Sequence, residues 1–203
     1  MIIFTLGPAG TFSHEAAQQI FPDATITFAP NFDRVFDYLQ ANPTALGLVP
    51  IENSLHGSVD EILDLLRETD VKMWRTHEVR IRHACASLDP SQVQTIASHP
   101  QALRQSRAWI KATYPDALLL PTSSTAAAVE RAESDPTIAA IASPRRIAAS
   151  RLTLIKEDVE GDANTTRFAI VSRTDPFPDS PRTQMSIAIH PPREDRPGLL
   201  HHL

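Results

Sequence analysis

The sequence predicts an α/β fold in which helices cover parallel strands, and two observations support this prediction. Short apolar runs alternate with amphipathic runs along most of the chain. After several of the apolar runs, a small or hydroxyl-bearing residue precedes the next amphipathic run, as it does at the start of a helix. A strand followed by a helix, five times over, is typical of a parallel sheet.

Five apolar runs are predicted to be buried strands, because each is short and rich in aliphatic side chains. They are residues 1–6, 45–51, 94–98, 117–121 and 137–143. A further strand-like run at 169–172 follows the sequence NTTRF, Asn164 to Phe168. An amide, two hydroxyls, a guanidinium and a ring are an unusual set of groups at the mouth of a strand, so NTTRF is a candidate for function.

Each predicted helix begins after a side chain that can accept a hydrogen bond from the free N–H groups of its first turn. The predicted cap residues are Thr11 or Ser13, Ser58, His99, one of residues 122–125, and Ser143. Glu61 follows Ser58 by three residues, which predicts a capping box. Pro100 and Pro144 suit the first turns of their helices.

Composition favours a globular protein: of 203 residues, 42% are hydrophobic and 21% charged, enough for one large domain or two lobes. A net charge of −5 disfavours a nucleic-acid groove. Cys85 is the single cysteine, so no internal disulfide is possible and a reducing compartment is favoured. The sequence shows no signal peptide and no apolar stretch near the ~18 residues of a membrane span. We therefore expect a soluble cytoplasmic protein that binds neither nucleic acid nor membrane.

Several common chemistries are excluded because their motifs are missing. The sequence contains no HExxH motif, and one cysteine cannot form a zinc knuckle. The segment GPAGT, residues 7–11, lacks the lysine of a phosphate-binding loop and the third glycine of a dinucleotide-binding fingerprint. No GxSxG elbow is present. The sequence therefore predicts no zinc site, no nucleotide phosphate loop and no dinucleotide fingerprint.

The repeated helix N-termini predict a cleft for a small polyanionic organic ligand. A helix end stabilises an anion by ~0.3–1 kcal/mol, and a hydrogen bond to a charged group contributes roughly 1.5–3 kcal/mol. Two or three such bonds per carboxylate hold a dianion with little help from arginine. The alternative is that each hydroxyl only caps its helix. Glu52, Asn53 and Ser54, which follow a predicted strand, form either part of this site or an Asx-type turn.

The C-terminal part of the sequence predicts a second domain. Residues 174–182, TDPFPDSPR, carry three prolines and are typical of a linker. The segment QMSIAIH alternates like a strand, and the residues after it resemble a loop that enters a helix. A strand and the start of a helix cannot bury a core. We therefore expect that the sequence is cut inside this domain.

Five motifs resemble those of prephenate dehydratases, in the same order: GPAGTFSHEAA, VPIENSLHGSVDEILDLL, SHPQALRQ, SSTAAAV and NTTRF. The resemblance covers the chain from its first strand to its end. SIAIHPPREDRPGLLHHL, within 183–203, resembles the opening of the ACT (ferredoxin-like) regulatory domain that follows in that family. The chain departs from the family near residues 80–83, RIRH, where it has Arg80 and Arg82 and the family usually shows a proline. The acidic position before NTTRF is either Glu160 or Asp162.

The resemblance implies two α/β lobes like those of a type 2 periplasmic binding protein, with the active site between them. The catalytic domain would span 1–180, with lobe one at about 1–77 plus 166–180 and lobe two at about 78–165. The truncated ACT-like domain would span 183–203. NTTRF would then lie where the chain returns to the first lobe.

The resemblance also implies the activity, the conversion of prephenate to phenylpyruvate without a cofactor, and the residues that carry it. Thr166 of the Thr-Arg-Phe motif would assist the departure of hydroxide, with Asn53 and Ser54 beside the ring and its leaving group. The residues expected to hold carboxylates at helix starts are Thr11, Ser98, Gln101, Ser124 and Thr125. Arg167 is either a carboxylate ligand or a strut. Asn164 and Thr165 would provide local geometry.

Three other functions remain open from the sequence: an arogenate dehydratase, a non-aromatising prephenate decarboxylase, and a non-catalytic small-anion-binding module. Intact NTTRF and the ACT-like tail argue against the decarboxylase. The hydroxyl at Thr166 argues against a pure binding module. The family architecture further implies L-phenylalanine as an effector of the full-length protein and a homo-oligomer, either a dimer or a tetramer.

Overall fold

The computed structural model describes residues 1–161 and 163–179. The predicted ACT-like segment, the end of the predicted linker and Asp162 lie outside these residues. The strands are β1 (Ile2–Leu6), β2 (Thr25–Ala29), β3 (Leu46–Asn53), β4 (Gly57–Ser58), β5 (Lys72–Ile81), β6 (Ala84–Ser87), β7 (Thr95–Ser98), β8 (Leu118–Pro121), β9 (Ile138–Ala142), β10 (Thr153–Glu157) and β11 (Asn164–Ser172). The helices are α1 (Phe12–Ile20), α2 (Phe32–Ala41), α3 (Asp60–Glu68), α4 (Pro100–Gln105), α5 (Arg107–Thr113), α6 (Thr125–Ser134) and α7 (Pro144–Ala148).

The strands form two sheets, which confirms the predicted α/β class. The first sheet has the order β2-β1-β3-β11-β5, with β4 paired to β3. The second sheet has the order β10-β6-β9-β7-β8. Among the five predicted buried strands, those that neighbour one another are parallel: β1 with β3, and β7 with β8 and β9. Both sheets are nevertheless mixed, because β11 is antiparallel to β3 and β5, and β6 is antiparallel to β9 and β10.

Each sheet carries a hydrophobic core on both faces, as expected for a sheet between two layers of helices. In the first sheet, Phe36 and Leu39 of α2 are buried on one face, and Leu48 and Phe168 belong to the cluster on the other. The second sheet is built largely from alanine where α6 packs on β9. Small side chains let this helix approach the strand closely.

The chain passes from the first sheet to the second between Ile81 and Ala84, and it returns between Glu157 and Asn164. These two crossover segments are bound to each other. The guanidinium of Arg82 donates to both carboxylate oxygens of Asp158, at 2.6 and 2.8 Å. Asp158 has a positive φ of 52°, a conformation that this bidentate pair helps to hold. The chain thus passes between the sheets a few residues away from the predicted lobe boundaries at 77/78 and 165/166. The domain limits stay a prediction.

Four of the predicted helix caps are present, and one is wrong. Thr11, His99, Ser124 and Ser143 each accept a hydrogen bond from a backbone N–H in the first turn of the following helix. Ser58 does not, because it lies in β4, paired with β3 through Glu52, and α3 begins after Val59 without a side-chain cap. Gly57, with a φ of 77°, permits the tight turn that makes this short strand pair possible.

Candidate active site

A cavity of about 250 Å³ lies between the two sheets. Its wall comes from the ends of β1 and β3, the crossover strands β5 and β11, and the N-termini of α1, α4 and α6. Six of the nine predicted site residues line it: Thr11, Asn53, Gln101, Ser124, Thr125 and Thr166. The structure therefore brings together side chains from both sheets that are far apart in the sequence.

Asn53 and Thr166 form the polar centre of the cavity wall. The side-chain amide of Asn53 donates to Oγ1 of Thr166 at 2.9 Å and to Oδ1 of Asn164 at 2.7 Å. Its own Oδ1 accepts the backbone N–H of Leu55 at 3.1 Å, which fixes the orientation of the amide. Because Thr166 accepts from Asn53, its hydroxyl proton remains available to a ligand. The arrangement makes Thr166 a hydrogen-bond donor that points away from Asn53.

Asn164 and Gln105 were missed as site residues by the sequence interpretation. Asn164 is 2% exposed, and its amide donates to Oε1 of Gln105 at 3.2 Å. The amide nitrogen of Gln105 is buried and has no acceptor among the described residues, although Gln105 lines the cavity. The spacing of four residues from Gln101 on one helical segment was a signal that both amides share a face.

Three helix N-termini meet the cavity, at α1, α4 and α6. The hydroxyl of Ser124 accepts from Ala127 N at 3.0 Å and keeps its proton for a ligand. The hydroxyl of Thr11 already acts as both acceptor and donor within the protein: it accepts from His14 N and donates to Pro8 O at 3.0 Å. None of the described residues that line the cavity is a lysine or an arginine. An anion here would be stabilised mainly by helix ends and neutral donors.

The other three predicted site residues lie outside the cavity lining, and their contacts are structural. Ser98 is fully buried, and its hydroxyl donates to Ile141 O at 2.6 Å, which joins β7 to β9. Ser54 pairs with Thr165, accepting its N–H at 3.0 Å and donating its own N–H to the Thr165 carbonyl at 2.9 Å. The hydroxyl of Ser98 thus bonds within the second sheet, and that of Ser54 accepts from the backbone of β11. Their roles towards a substrate stay predictions.

Arg167 makes the contacts expected of a strut, and its alternative role as a ligand of a substrate carboxylate stays a prediction. Its guanidinium pairs with Glu52 at 2.7 Å and with Glu78 at 3.1 Å, so it spans the three strands β3, β11 and β5. Its side chain is 44% exposed. Side chains alternate between the faces of a strand, so Arg167 is directed away from the face on which its neighbour Thr166 meets the cavity.

His83 is a buried imidazole in the cavity wall, 2% exposed, at the first crossover. Its backbone N–H donates to the carboxylate of Glu160 at 2.8 Å, which gives Glu160 a structural role at the second crossover. Its Nδ1 is buried without a hydrogen-bond partner among the described residues, 3.8 Å from the same carboxylate. Burial lowers the pKa of His83 to about 4, so the folded protein holds it neutral at pH 7.

This burial predicts a specific loss of stability in acid. The unfolded chain takes up a proton at His83 below about pH 6.5, whereas the folded protein does so only near pH 4. Stability contributed by neutral His83 is therefore present above pH 6.5 and is lost as the pH falls towards 4. Between pH 7.5 and 4.5 we expect a decrease in unfolding free energy of roughly 2–3 kcal/mol from this group.

Urea unfolding of wild type and His83→Gln at both pH values measures the contribution of His83 as a difference. The variant should lose less stability on acidification than wild type. His77→Gln is the matched control, since His77 is half-buried on β5 and outside the cavity lining. An equal pH dependence in wild type and His83→Gln would contradict the assignment.

No cluster of His, Cys, Asp and Glu side chains suited to a metal ion is present within residues 1–161 and 163–179. In the same part of the chain, none of the helices is both long enough and apolar enough to span a membrane.

Comparison with known proteins places most of the chain in one family. The family model for prephenate dehydratase matches residues 3–176. A prephenate dehydratase from Methanocaldococcus jannaschii is 31% identical over 208 residues, covering 100% of this chain and 75% of that protein. A bifunctional chorismate mutase/prephenate dehydratase from Pseudomonas aeruginosa is 34% identical, covering 98% of this chain and 55% of that protein. The chain thus spans about half the length of such bifunctional relatives.

Solved structures resemble this chain in two ways, one as a member of the same family and one in fold alone. A prephenate dehydratase from Arthrobacter aurescens, crystallised with L-Phe, aligns with a TM-score of 0.82 at 29% identity, over 99% of this chain and 70% of that one. A substrate binding domain of an ABC transporter from Clostridium difficile aligns with a TM-score of 0.51 at 11% identity, over 88% of this chain and 87% of that one. The second alignment concerns the fold alone, and it confirms the expected likeness to periplasmic binding proteins.

Proposed function

This chain belongs to the prephenate dehydratase family, and from that membership we propose that its cavity binds prephenate and converts it to phenylpyruvate, CO2 and water. The family's reaction is a hydro-lyase step of phenylalanine biosynthesis. The observation that carries the proposal for this chain is the bond from Asn53 to Thr166, which leaves a threonine proton free inside a cavity bordered by three helix N-termini.

Prephenate carries two carboxylates and a ring hydroxyl opposite its quaternary carbon. The bond from that carbon to one carboxylate breaks, CO2 leaves, and the electron pair enters the ring. The C–O bond at the opposite carbon breaks as hydroxide departs, which completes the aromatic ring. Hydroxide becomes water by taking up a proton. Electrons balance within the substrate, and aromatisation supplies the driving force.

Thr166 assists the departure of hydroxide. A threonine hydroxyl is a weak acid, so its contribution is a positioned hydrogen bond that strengthens as negative charge develops on the leaving oxygen. The bond from Asn53 keeps the Thr166 proton directed at the ligand instead of at the protein. Donors placed in advance lower the barrier because they need no reorganisation during the reaction.

The carboxylates of prephenate are held without cationic side chains. The free N–H groups at the starts of α1, α4 and α6 provide donors and a partial positive charge. The amides of Gln101 and Gln105 and the hydroxyls of Ser124 and Thr125 add neutral donors. A site of this kind favours the dianion while keeping the departing CO2 free of a tight ion pair, since a hydrogen bond to a neutral group is weaker than an ion pair.

Three further features belong to this proposal. L-phenylalanine is the effector of the full-length protein, in keeping with the Arthrobacter relative that was crystallised with L-Phe. The full-length protein is a homo-oligomer, either a dimer or a tetramer, and its ACT-like segment is regulatory. Its location is the cytoplasm, where phenylalanine biosynthesis takes place.

The experiment that tests the activity is product identification. Pure protein incubated with prephenate, without added metal or nucleotide, should yield phenylpyruvate and CO2 in equal amounts by mass spectrometry and NMR. A non-aromatic dihydro-hydroxyphenylpyruvate would identify a decarboxylase instead. Faster conversion of arogenate to phenylalanine would identify an arogenate dehydratase. Binding of prephenate without turnover would identify an anion-binding module.

A further inference from the structure

His56 lies beside the cavity, within hydrogen-bond distance of two residues that line it. It is an exposed residue in the turn between β3 and β4, beside the first sheet. Its Nδ1 is 3.0 Å from Oδ1 of Asn53 and 3.1 Å from the amide nitrogen of Gln101. Asn53 belongs to the first sheet, and Gln101 lies in α4, beside the second. One ring nitrogen therefore lies within hydrogen-bond distance of a residue on each side of the cavity.

This nitrogen cannot serve both neighbours at once. With a proton, Nδ1 donates to Oδ1 of Asn53 and has no lone pair for the Gln101 amide. Without a proton, it accepts from Gln101 but places its lone pair against the Asn53 oxygen. That oxygen cannot turn away, because it accepts the backbone N–H of Leu55 and the amide nitrogen opposite it serves Asn164 and Thr166. The two contacts of His56 are therefore alternatives.

We propose that His56 is a positioning residue for Asn53, and that substrate binding selects between its two contacts. A substrate carboxylate takes over the Gln101 amide, and the proton on Nδ1 of His56 then donates to Oδ1 of Asn53. That bond adds to the Leu55 contact and holds the Asn53 amide towards Thr166. Binding beside α4 is thereby linked to the orientation of the donor on the opposite wall. This inference rests on the proposed dehydratase function.

The proposal predicts that removal of the His56 side chain affects kcat and KM differently. His56→Ala removes the second bond to Asn53, so kcat should fall by roughly three- to ten-fold, the effect of one ordinary hydrogen bond. KM should stay constant or decrease, because the Gln101 amide no longer has to leave an imidazole before it binds a carboxylate. A residue that only supported the turn would show no such separation.

Two amide variants identify the ring nitrogen involved. The amide of His56→Asn occupies the place of Nδ1, and that of His56→Gln reaches the place of Nε2. His56→Asn should retain most of the wild-type kcat, whereas His56→Gln should resemble His56→Ala. His77→Ala, a histidine change outside the cavity, should leave both constants unchanged.

The decisive readout is phenylpyruvate formation by wild type and the four variants. An unchanged kcat in His56→Ala, or equal kcat values in the Asn and Gln variants, would overturn the inference while the dehydratase proposal stands. A wild-type protein that forms no phenylpyruvate would overturn both. In the complex with phenylpyruvate, ¹⁵N NMR should report a protonated Nδ1 at His56, and an unprotonated Nδ1 would count against the inference.

Discussion

Thr166→Val is expected to lower kcat by about 10²- to 10⁴-fold, the usual range for the loss of a group that assists proton movement at a reacting atom. Valine has the shape of threonine without its hydroxyl, so the leaving oxygen loses its donor while the packing of β11 is kept. Asn53 retains Asn164 as an acceptor, and it lies 3.3 Å from the carbonyl oxygen of Thr165. The measurement is steady-state formation of phenylpyruvate, with a thermal melt to establish that the variant is folded.

Thr165→Val is the matched control for this experiment. It makes the same chemical change one residue away in the same strand, and Thr165 lies outside the cavity lining. Thr165→Val should keep kcat near the wild-type value, and Thr166→Ser should restore much of the activity because serine also carries a hydroxyl. Turnover near the wild-type rate in Thr166→Val would remove Thr166 from the mechanism.

Asn53→Asp is the second substitution with a large expected effect. It replaces the amide nitrogen that donates to Thr166 with a carboxylate oxygen. The hydroxyl of Thr166 would then donate to this carboxylate and be lost to the leaving group. A negative charge would also face a dianionic substrate in a cavity lined by no described lysine or arginine. We expect kcat/KM to fall by about 10²- to 10³-fold, as for the loss of one donor to a developing oxyanion.

The fold should tolerate Asn53→Asp, because the neighbouring amides can turn. Asn164 can present its nitrogen to the new carboxylate, and its oxygen can then accept from the amide nitrogen of Gln105, which is unpaired in the described structure. Asn42→Asp is the control, since Asn42 caps the end of α2 through Tyr38 O at 2.8 Å, away from the cavity. A kcat/KM for Asn53→Asp close to that of Asn42→Asp would show that the Asn53 amide is dispensable.

The runs predicted to be strands share three properties: they are short, apolar and free of charged residues. Among the strands not predicted, β5 is long and carries charged residues throughout, because it is half-exposed along much of its length. β6, with the sequence ACAS, is fully buried but too small and too short to produce a pattern. β10 lies at a sheet edge and is largely exposed. A run of uncharged apolar residues was therefore the condition for recognising a strand, and burial was not, since β8 was predicted although Leu118 and Leu119 are exposed.

The candidate site also contains residues whose contacts could be predicted from local sequence and residues whose contacts could not. The helix caps Thr11 and Ser124 were predictable, because capping depends on a few neighbouring residues. Ser98 was assigned to the substrate through the family resemblance, yet its hydroxyl points into the second sheet and donates to Ile141 O. Whether a polar side chain at the end of a strand faces the cavity or a neighbouring strand depends on the pairing and twist of that strand, which no local pattern contains.

By itself, the sequence determined the α/β class, the starts of most helices, and the family to which NTTRF and its companion motifs belong. These depend on local hydrogen bonding and on apolar periodicity, both of which can be detected within a few turns of chain. Only the tertiary structure decided that Asn164 would bond to Asn53, 111 residues away, and that Arg167 would pair with Glu52 and Glu78. Antiparallel pairing of β11 with β3 and β5 sets those contacts, because register and alternation decide which side of the sheet each residue of NTTRF faces.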